Sequence, residues 1–329
     1  MDKSIDIVIP WVDGMDPKWL SEKEEYDTSY KGDKRTNRYR SWENLQFLFR
    51  GIEKNLPWVR RIHFVTWGHV PLWLNEEHPK LNIVKHQDYI PSQYLPTFSS
   101  HPIELNMHRI DGLSQQFIYA NDDTFFLRPL DEEDFFVNGL PCDSSIENVH
   151  QFKKGGIDHI IANNLEVLNA NFNKKESIKS IKNKWYSFRY GKKLLKNIYL
   201  YPFANFVGFE NPHMPIPYLK ATFEEVWKSE PEILEKTCNN KFRSNEDVNQ
   251  WLFRYWQLAS GNFHPQKPNK GVFFSIGKDD ELIKRAITRQ EFAMICLSDD
   301  DVFLNFEKEK EFLVECFEQI FPEKSSFEK

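Results

Sequence analysis

The stretch IYANDDTFFLRPL, residues 118–130, decides how the rest of the chain is read. A hydrophobic, strand-like run, Phe117 to Ala120, stops abruptly at Asn121, Asp122 and Asp123, and a second apolar run, Phe125 to Leu127, follows at once. Carboxylates at the carboxyl end of a buried strand are expensive unless a cation or a strong donor lies nearby. In open α/β sheets, ligands bind outside the carboxyl ends of the strands, and oxygen donors of this kind suit Mg²⁺ or Mn²⁺. The pattern also admits a plainer use, an Asp-rich turn whose carboxylates cap backbone N–H groups.

Upstream, Ile5 to Val12 is apolar on both faces, as in a buried parallel strand, and ends in the turn DGMDP, residues 13–17. Asp13 and Asp16 therefore fall on the same expected rim as residues 121–123. Trp11 and Trp19 beside them can cover a base or simply pack in the core. A polar loop with Arg35, Arg38 and Arg40 leads to Ser41, which can cap a helix carrying Leu45, Leu48, Phe49, Ile52 and Leu56 at helical spacing until Pro57 stops it. Ile62 to Trp67 and Leu81 to His86 read as further strands. This alternation predicts a doubly wound sheet.

From Leu95 to Ser114 the chain is dense in polar side chains. Pro102 suits the first turn of a helix with Ile103, Met107 and Ile110 on one face and Glu104 and His108 four apart. His101, Asn106, His108 and Arg109 together suggest a polar wall leading to Asp122. Residues 171–200 hold nine Lys or Arg against one acidic residue, Glu176, interleaved with aromatic residues. That composition fits a solvated helical face, or a basic amphipathic insertion that approaches an anionic membrane or a pyrophosphate-linked acceptor. The loop PHMPIP, residues 212–217, sets His213 between prolines. Residues 242–261 predict a helix capped by Ser244 and Asp247, with Arg243 just before it, placed to meet an anion at the helix N-terminus.

A chain of 329 residues, 40% hydrophobic and 15% aromatic, is large enough for one α/β domain with an insertion, or for two domains. Its net charge of -6 argues against a dedicated nucleic-acid binder. Cys142, Cys238, Cys296 and Cys316 are too scattered for a zinc signature and read as reduced and structural, in a cytoplasmic chain. The apolar run after Met1 is too short for a signal peptide or a membrane span. Walker, dinucleotide-binding, zinc-protease and serine-hydrolase motifs are missing from the sequence.

Taken together, IVIPWVDGMDP (7–17), residues 38–75, residues 95–136, ENPHMP (210–215) and FRSNEDVNQ (242–250) resemble, in order, the four conserved regions of the Stealth family. These are hexose-1-phosphate transferases, including bacterial capsule and cell-wall polysaccharide phosphotransferases, with the lysosomal-enzyme N-acetylglucosamine-1-phosphotransferase as an animal relative. The resemblance implies an α/β fold built on a glycosyltransferase-A-like nucleotide-sugar-binding sheet, with a helical insertion and a helical C-terminal tail. With the changes of composition along the chain, the divisions expected are a core at 1–140, a basic helical insertion at 141–205, completion of the core at 206–278 and a tail at 279–329.

The resemblance further implies a UDP-sugar donor, Mg²⁺ or Mn²⁺, and attack of an acceptor hydroxyl on the phosphorus attached to the sugar, so that UMP leaves. By that matching, Asp13, Asp16, Arg38 and Arg40 hold the nucleotide and diphosphate, and Asp122 and Asp123 the metal; Trp11, able to cover a base, is grouped with the nucleotide-binding residues. Arg243 and His213 fall on the family's arginine and histidine. His213 is the first choice of base because neutral imidazole is available near pH 7, with Asp13 and His101 as alternatives. The acceptor implied is a polysaccharide or a polyprenyl-diphosphate-linked oligosaccharide, not a nucleic acid, met in the cytoplasm or at the inner face of the membrane. Two rival classes are a conventional metal-dependent glycosyltransferase, which would release UDP, and a noncatalytic glycan or sugar-nucleotide binding protein, which would turn nothing over.

Overall fold

The computed structural model describes residues 4–27, 42–151, 157–268, 271–299 and 305–329. Arg38, Arg40 and the expected Ser41 cap lie outside them. In chain order the strands are β1 Ile5–Pro10, β2 Arg61–Thr66, β3 Leu81–Lys85, β4 Gln116–Tyr119, β5 Thr124–Phe126, β6 Phe136–Val137, β7 Leu140–Asp143, β8 Ile216–Leu219, β9 His264–Pro265, β10 Gly271–Ser275 and β11 Met294–Ser298.

The main sheet has the order β3-β2-β1-β4-β8. Strands β1 to β4 run parallel, as the alternation predicts, and β8 is antiparallel to β4. The chain walks outward from β1 through β2 to β3, then returns to the other side of β1 as β4. The β1/β4 boundary is therefore the topological switch point, where a crevice opens beyond the strand ends.

Both faces of the sheet are buried, which is why its strands lack a polar side. Along β1, Ile5, Ile7 and Ile9 join Phe64 and Ile118 in one core, whereas Val8 joins Val65, Phe117 and Tyr119 in the other. This is the two-residue alternation of a pleated strand. Asp6 is the polar exception, fully buried. Its carboxylate accepts from Arg60 Nε at 2.8 Å and Nη2 at 2.5 Å, and from Ser114 N at 2.8 Å, with His63 Nε2 at 3.0 Å. Burial alone would raise the Asp6 pKa, but the hydrogen bonds from His63, Arg60 and Ser114 pull it down to about 2.

The first core is covered by the helix Leu45–Asn55 and by the helix Phe306–Glu318. The former packs so closely on β5 that a Cβ at Gly51 would sit 2.7 Å from the Phe126 carbonyl oxygen. Asn55 Nδ2 donates to that same carbonyl at 2.8 Å. Helices Lys220–Ser229, Pro231–Asn239 and Trp251–Ser260 cover the second core.

Three segments differ from the periodicity reading. The helix begun by Ser100 ends at Leu105, because Asn106 Nδ2 turns back to the Pro102 carbonyl at 2.8 Å, and such local bonds compete with helix continuation. Glu104 consequently bonds Tyr119 Oη at 2.9 Å, while His108 packs beside Phe223 and Trp227. The second is the helix expected from residue 244, which starts only at Trp251. Polar side chains in the intervening run are used on distant partners: Asp247 on His101 at 2.8 Å and Asn249 on Asn164 at 2.8 Å.

The third is the tail, which has the expected helices, Asp280–Thr288 and Phe306–Glu318, and also a strand the periodicity did not reveal. This strand, β11, lies between β10 and β5 in a second, three-stranded sheet. In the insertion, helices do occupy residues 158–200, but part of the basic charge is spent internally. The Lys174 ammonium is buried against Glu147 at 2.8 Å, and Lys193 and Lys196 both pair with Glu210, at 2.7 and 2.8 Å.

Candidate active site

At the switch point, Pro10, Trp11 and Val12 from the end of β1 face Tyr119, Asn121, Asp122 and Asp123 from the end of β4 across a cavity of about 290 Å³. The turn that carries the two aspartates is closed by Asn121: its carbonyl accepts from Thr124 N at 3.2 Å and Thr124 Oγ1 at 2.7 Å. The chain thereby leaves the main sheet and enters β5. The turn is closed by the Asn121 carbonyl rather than by the aspartate carboxylates, which differs from the Asp-capped turn of the plainer reading.

Asp123 Oδ1 is buried without a hydrogen-bond partner among the described residues. Burial lifts the Asp123 carboxyl to about 6, opposed in part by a hydrogen bond from the Cys296 thiol of β11. Asp122 can be reached by solvent from the cavity yet is ringed by protein atoms. That crowding, together with the charge of Asp123, raises its carboxyl to about 7. Two adjacent carboxylates that hold their protons too tightly form a site in want of a positive charge.

Their donor chemistry suits Mg²⁺ or Mn²⁺, which typically take one or two carboxylates and fill the other positions with water and substrate phosphate oxygens. Among the described residues no three His, Cys, Asp or Glu side chains are grouped closely enough to enclose an ion without such help. A third acid, Glu104, lines the same cavity with Oε2 buried and unpartnered among the described residues.

Arg243 also lines this cavity, brought there from a distant part of the chain. It does not sit at a helix N-terminus, since the helix starts eight residues later at Trp251; its Nη2 donates instead to Ser100 Oγ at 2.8 Å. His101 does not line the cavity. Its Nδ1 lies 2.8 Å from Asp247 Oδ2, and Asp247 also accepts from Ser244 N at 2.9 Å. The pair thus ties the helix Ser100–Leu105 to the turn that follows Arg243.

Asp13 and Asp16 follow Val12 in the chain but do not line this cavity. Asp13 N donates to His69 Nε2 at 2.7 Å, which leaves the His69 proton on Nδ1, 3.6 Å from Asp16 Oδ2. Asp16 Oδ1 caps the following helix by accepting from Lys18 N and Trp19 N, both at 2.9 Å. The bond from Trp19 holds its pKa below the usual carboxylate value. Trp11 packs edge-on to His69, with ring centroids 5.3 Å apart. His69 therefore organises this rim, and nothing in its sequence surroundings marks it.

His213 lines a second, larger cavity of about 530 Å³, together with Trp251, Arg254, Asp143 and Glu210. Its imidazole is open to solvent but hemmed by Phe273 and Trp251, with ring centroids 5.5 and 6.3 Å away. This burial keeps the ring below its ordinary pKa, hence neutral near pH 7. The loop that carries it is held by Arg254, whose Nη1 donates to Glu210 O at 2.9 Å and to Asn211 Oδ1 at 3.1 Å.

The two cavities are neighbours across shared strands. Tyr119 of the smaller cavity and Ile216 of the larger are register partners on β4 and β8. Met294 of the larger cavity is two residues along β11 from Cys296, which bonds Asp123, a separation of about 7 Å in a strand. Group transfer between two bound substrates is what paired carboxylates, an arginine and a neutral imidazole around adjoining cavities can perform.

Family models for Stealth protein conserved regions 1 and 2 match residues 3–31 and 38–142. Over nearly its whole length, the chain is similar to curated bacterial proteins. It is 41% identical to the capsular polysaccharide phosphotransferase WcwK of Streptococcus pneumoniae, with 99% of this chain and 98% of the relative covered. With the receptor polysaccharide phosphotransferase WefC of Streptococcus gordonii it shares 36% identity over all of both chains. The exopolysaccharide phosphotransferase cps2G of Lactiplantibacillus plantarum is likewise 36% identical, over 99% of this chain and 96% of that one. A solved galactosyltransferase, LgtC, with donor and acceptor sugar analogues, aligns over 94% of this chain and 95% of its own at 10% identity and a TM-score of 0.40. The class defined is an α/β sugar-phosphate transferase. Within that class, the chain belongs to the Stealth family.

Proposed function

We propose that this enzyme transfers a hexose-1-phosphate or N-acetylhexosamine-1-phosphate from a UDP-sugar to a hydroxyl of a polysaccharide or lipid-linked oligosaccharide, releasing UMP and leaving a phosphodiester. The observation that carries this reading is the Asp122–Asp123 pair, with a buried, unpartnered Asp123 Oδ1, facing Trp11 and Arg243 across the switch-point cavity. The relatives described above act on capsular, receptor and extracellular polysaccharides, which supports the acceptor class.

In this reading Asp122 and Asp123 hold Mg²⁺ or Mn²⁺, and the bound ion supplies charge neutralisation for the diphosphate and the departing UMP. Trp11 offers its ring to the uracil, and the Asp13–His69–Asp16 rim sets the shape of the nucleotide end. Arg38 and Arg40 are assigned to the diphosphate by the family resemblance. Arg243 places its guanidinium on the transferring phosphoryl group, where charge builds during in-line displacement. His213 takes the acceptor proton from the side of the larger cavity. A neutral imidazole accepts it without a preceding ionisation, and His213 lines a cavity whereas Asp13 and His101 line neither of the two.

Phosphorus NMR of the protein with Mg²⁺ or Mn²⁺, a panel of UDP-sugars and an oligosaccharide acceptor tests the reaction. A new phosphodiester signal together with UMP is the expected result; UDP and a glycosidic product would show that the anomeric bond is broken instead. Asp123→Asn is expected to abolish metal-dependent transfer while the thermal melt stays unchanged or rises, because an unpaired buried charge is removed. Normal turnover with an unaltered metal requirement would refute the assignment of Asp123.

A further inference from the structure

We propose that residues 175–203 form a docking surface for an anionic lipid bilayer. Nearly half of the large apolar side chains exposed among the described residues fall between 188 and 203, including Phe188 at 93% and Tyr199 at 75% exposure. Large aromatic residues left in water on a single segment mark an interaction site more often than a solvated surface. Arg189 and Lys192 lie among them and Lys179 and Lys182 precede them in the chain, all four exposed and outside any ion pair that the described residues form. Rings and lysines side by side are what the headgroup layer of an anionic bilayer accepts, the rings entering the interface and the ammonium groups meeting phosphate.

The patch is held firmly to the protein behind it. On the helix Leu194–Leu200, the buried Asn197 donates to Ser145 O at 3.0 Å and Trp185 O at 2.9 Å, and accepts from Glu147 N at 2.8 Å. Leu195 and Tyr199 are each two residues from Asn197, about 200° around a helix, so they stand on the outward side. Lys174 Nζ pins the end of the helix by donating to Leu200 O at 2.7 Å. Fixed in this way, the apolar tips need no ordering on contact. A second copy of the chain is disfavoured as the occupant, because two such faces would bring their unpaired lysines together. The remainder of the molecule carries the excess negative charge of a chain with net charge -6, so an anionic surface would also orient the protein with this face toward it.

The consequence for transfer rests on the function proposed above. Lys193, in the same segment, lines the larger cavity beside His213. Seated on a membrane, the protein would present that cavity to an acceptor whose lipid remains in the bilayer.

Flotation with vesicles of phosphatidylcholine alone, or of phosphatidylcholine with an equal part of phosphatidylglycerol, tests the docking without donor or turnover. The wild-type chain is expected to float with the anionic vesicles only, and raised salt should weaken that binding. Phe188→Ser with Tyr199→Ser should lower the partitioning about tenfold or more, with an unchanged melt and unchanged use of a soluble acceptor. Lys179→Glu with Lys182→Glu should do the same and weaken the salt dependence. Equal flotation of the variants, or no flotation of the wild type, would overturn the proposal. So would a concentration-dependent dimer in sedimentation that the aromatic substitutions dissociate. A failure of the sugar-phosphate reaction would show in the phosphorus spectrum and leave flotation intact.

Discussion

Replacing Arg254 with Met should destabilise the protein by about 3–5 kcal/mol, the cost of stripping a buried carboxylate of its partner. Arg254 is 1% exposed, and every one of its guanidinium N–H directions meets an acceptor. Nε and Nη2 form a fork on Asp143 at 2.7 and 2.8 Å; Nη1 serves Glu210 O and Asn211 Oδ1; and Nη2 also reaches Ser144 O at 3.4 Å. Burial works against the arginine's charge, but the charge and hydrogen bonds of Asp143 more than offset it, and its pKa is raised. In Arg254→Met the Asp143 side chain, 11% exposed, is left, among the described residues, with only the Ser144 N–H bond at 2.6 Å.

Arg254→Lys should lose less, about 1–3 kcal/mol, because three ammonium donors cannot serve the acceptors that five guanidinium N–H groups reach. Arg254→Met combined with Asp143→Leu should recover most of the loss, since no unpaired charge remains buried. Equilibrium urea denaturation of the three variants measures these differences. The reasoning would be refuted by an Arg254→Met protein within about 1 kcal/mol of wild type, or by a double variant less stable than the single one. As Arg254 also clamps the loop before His213, the single variant should lose kcat beyond what its unfolded fraction explains.

Two further outcomes follow from the same geometry. His213→Gln should lower the transfer rate about 10²–10⁴-fold if the imidazole takes the acceptor proton, with UDP-sugar binding unchanged by calorimetry; an unaltered rate would remove it from the chemistry. Asp6→Asn should flatten the acid side of the stability profile. Its folded pKa of about 2 lies below the ordinary 3.8, so its contribution is complete above about pH 4 and is lost as pH falls through about 2. The shift corresponds to roughly 2 kcal/mol, and melts recorded between those limits would show whether the wild-type slope depends on Asp6.

The sequence by itself determined the parallel sheet and the placing of its rim. Buried strands on both faces of a sheet must be continuously apolar, so Ile5 to Val12 and Phe117 to Ala120 announce themselves, and the polar residues that end such runs fall at the strand ends. Asp122, Asp123 and Trp11 were legible on that ground, and the four free, buried cysteines from their scatter along the chain. Arg243 was legible only through the order of the resemblance, because its own surroundings pointed to a helix cap that the chain does not form.

Tertiary structure decided the rest. His69, Glu104 and Arg254 earn their places from partners at distant positions in the chain, and local periodicity has no access to such pairings. Strand β11 reads as part of a helical tail because a five-residue apolar run, Met294–Ser298, has too few residues to distinguish the two periods. Only its pairing with β5 sets Cys296 against Asp123. The basic segment shows the same division. Its composition stated the number of positive charges, while the folded chain determined which of them are consumed by Glu147 and Glu210 and which remain facing outward beside Phe188 and Tyr199. An ion pair is a property of two distances, and those are set by packing rather than by order along the chain.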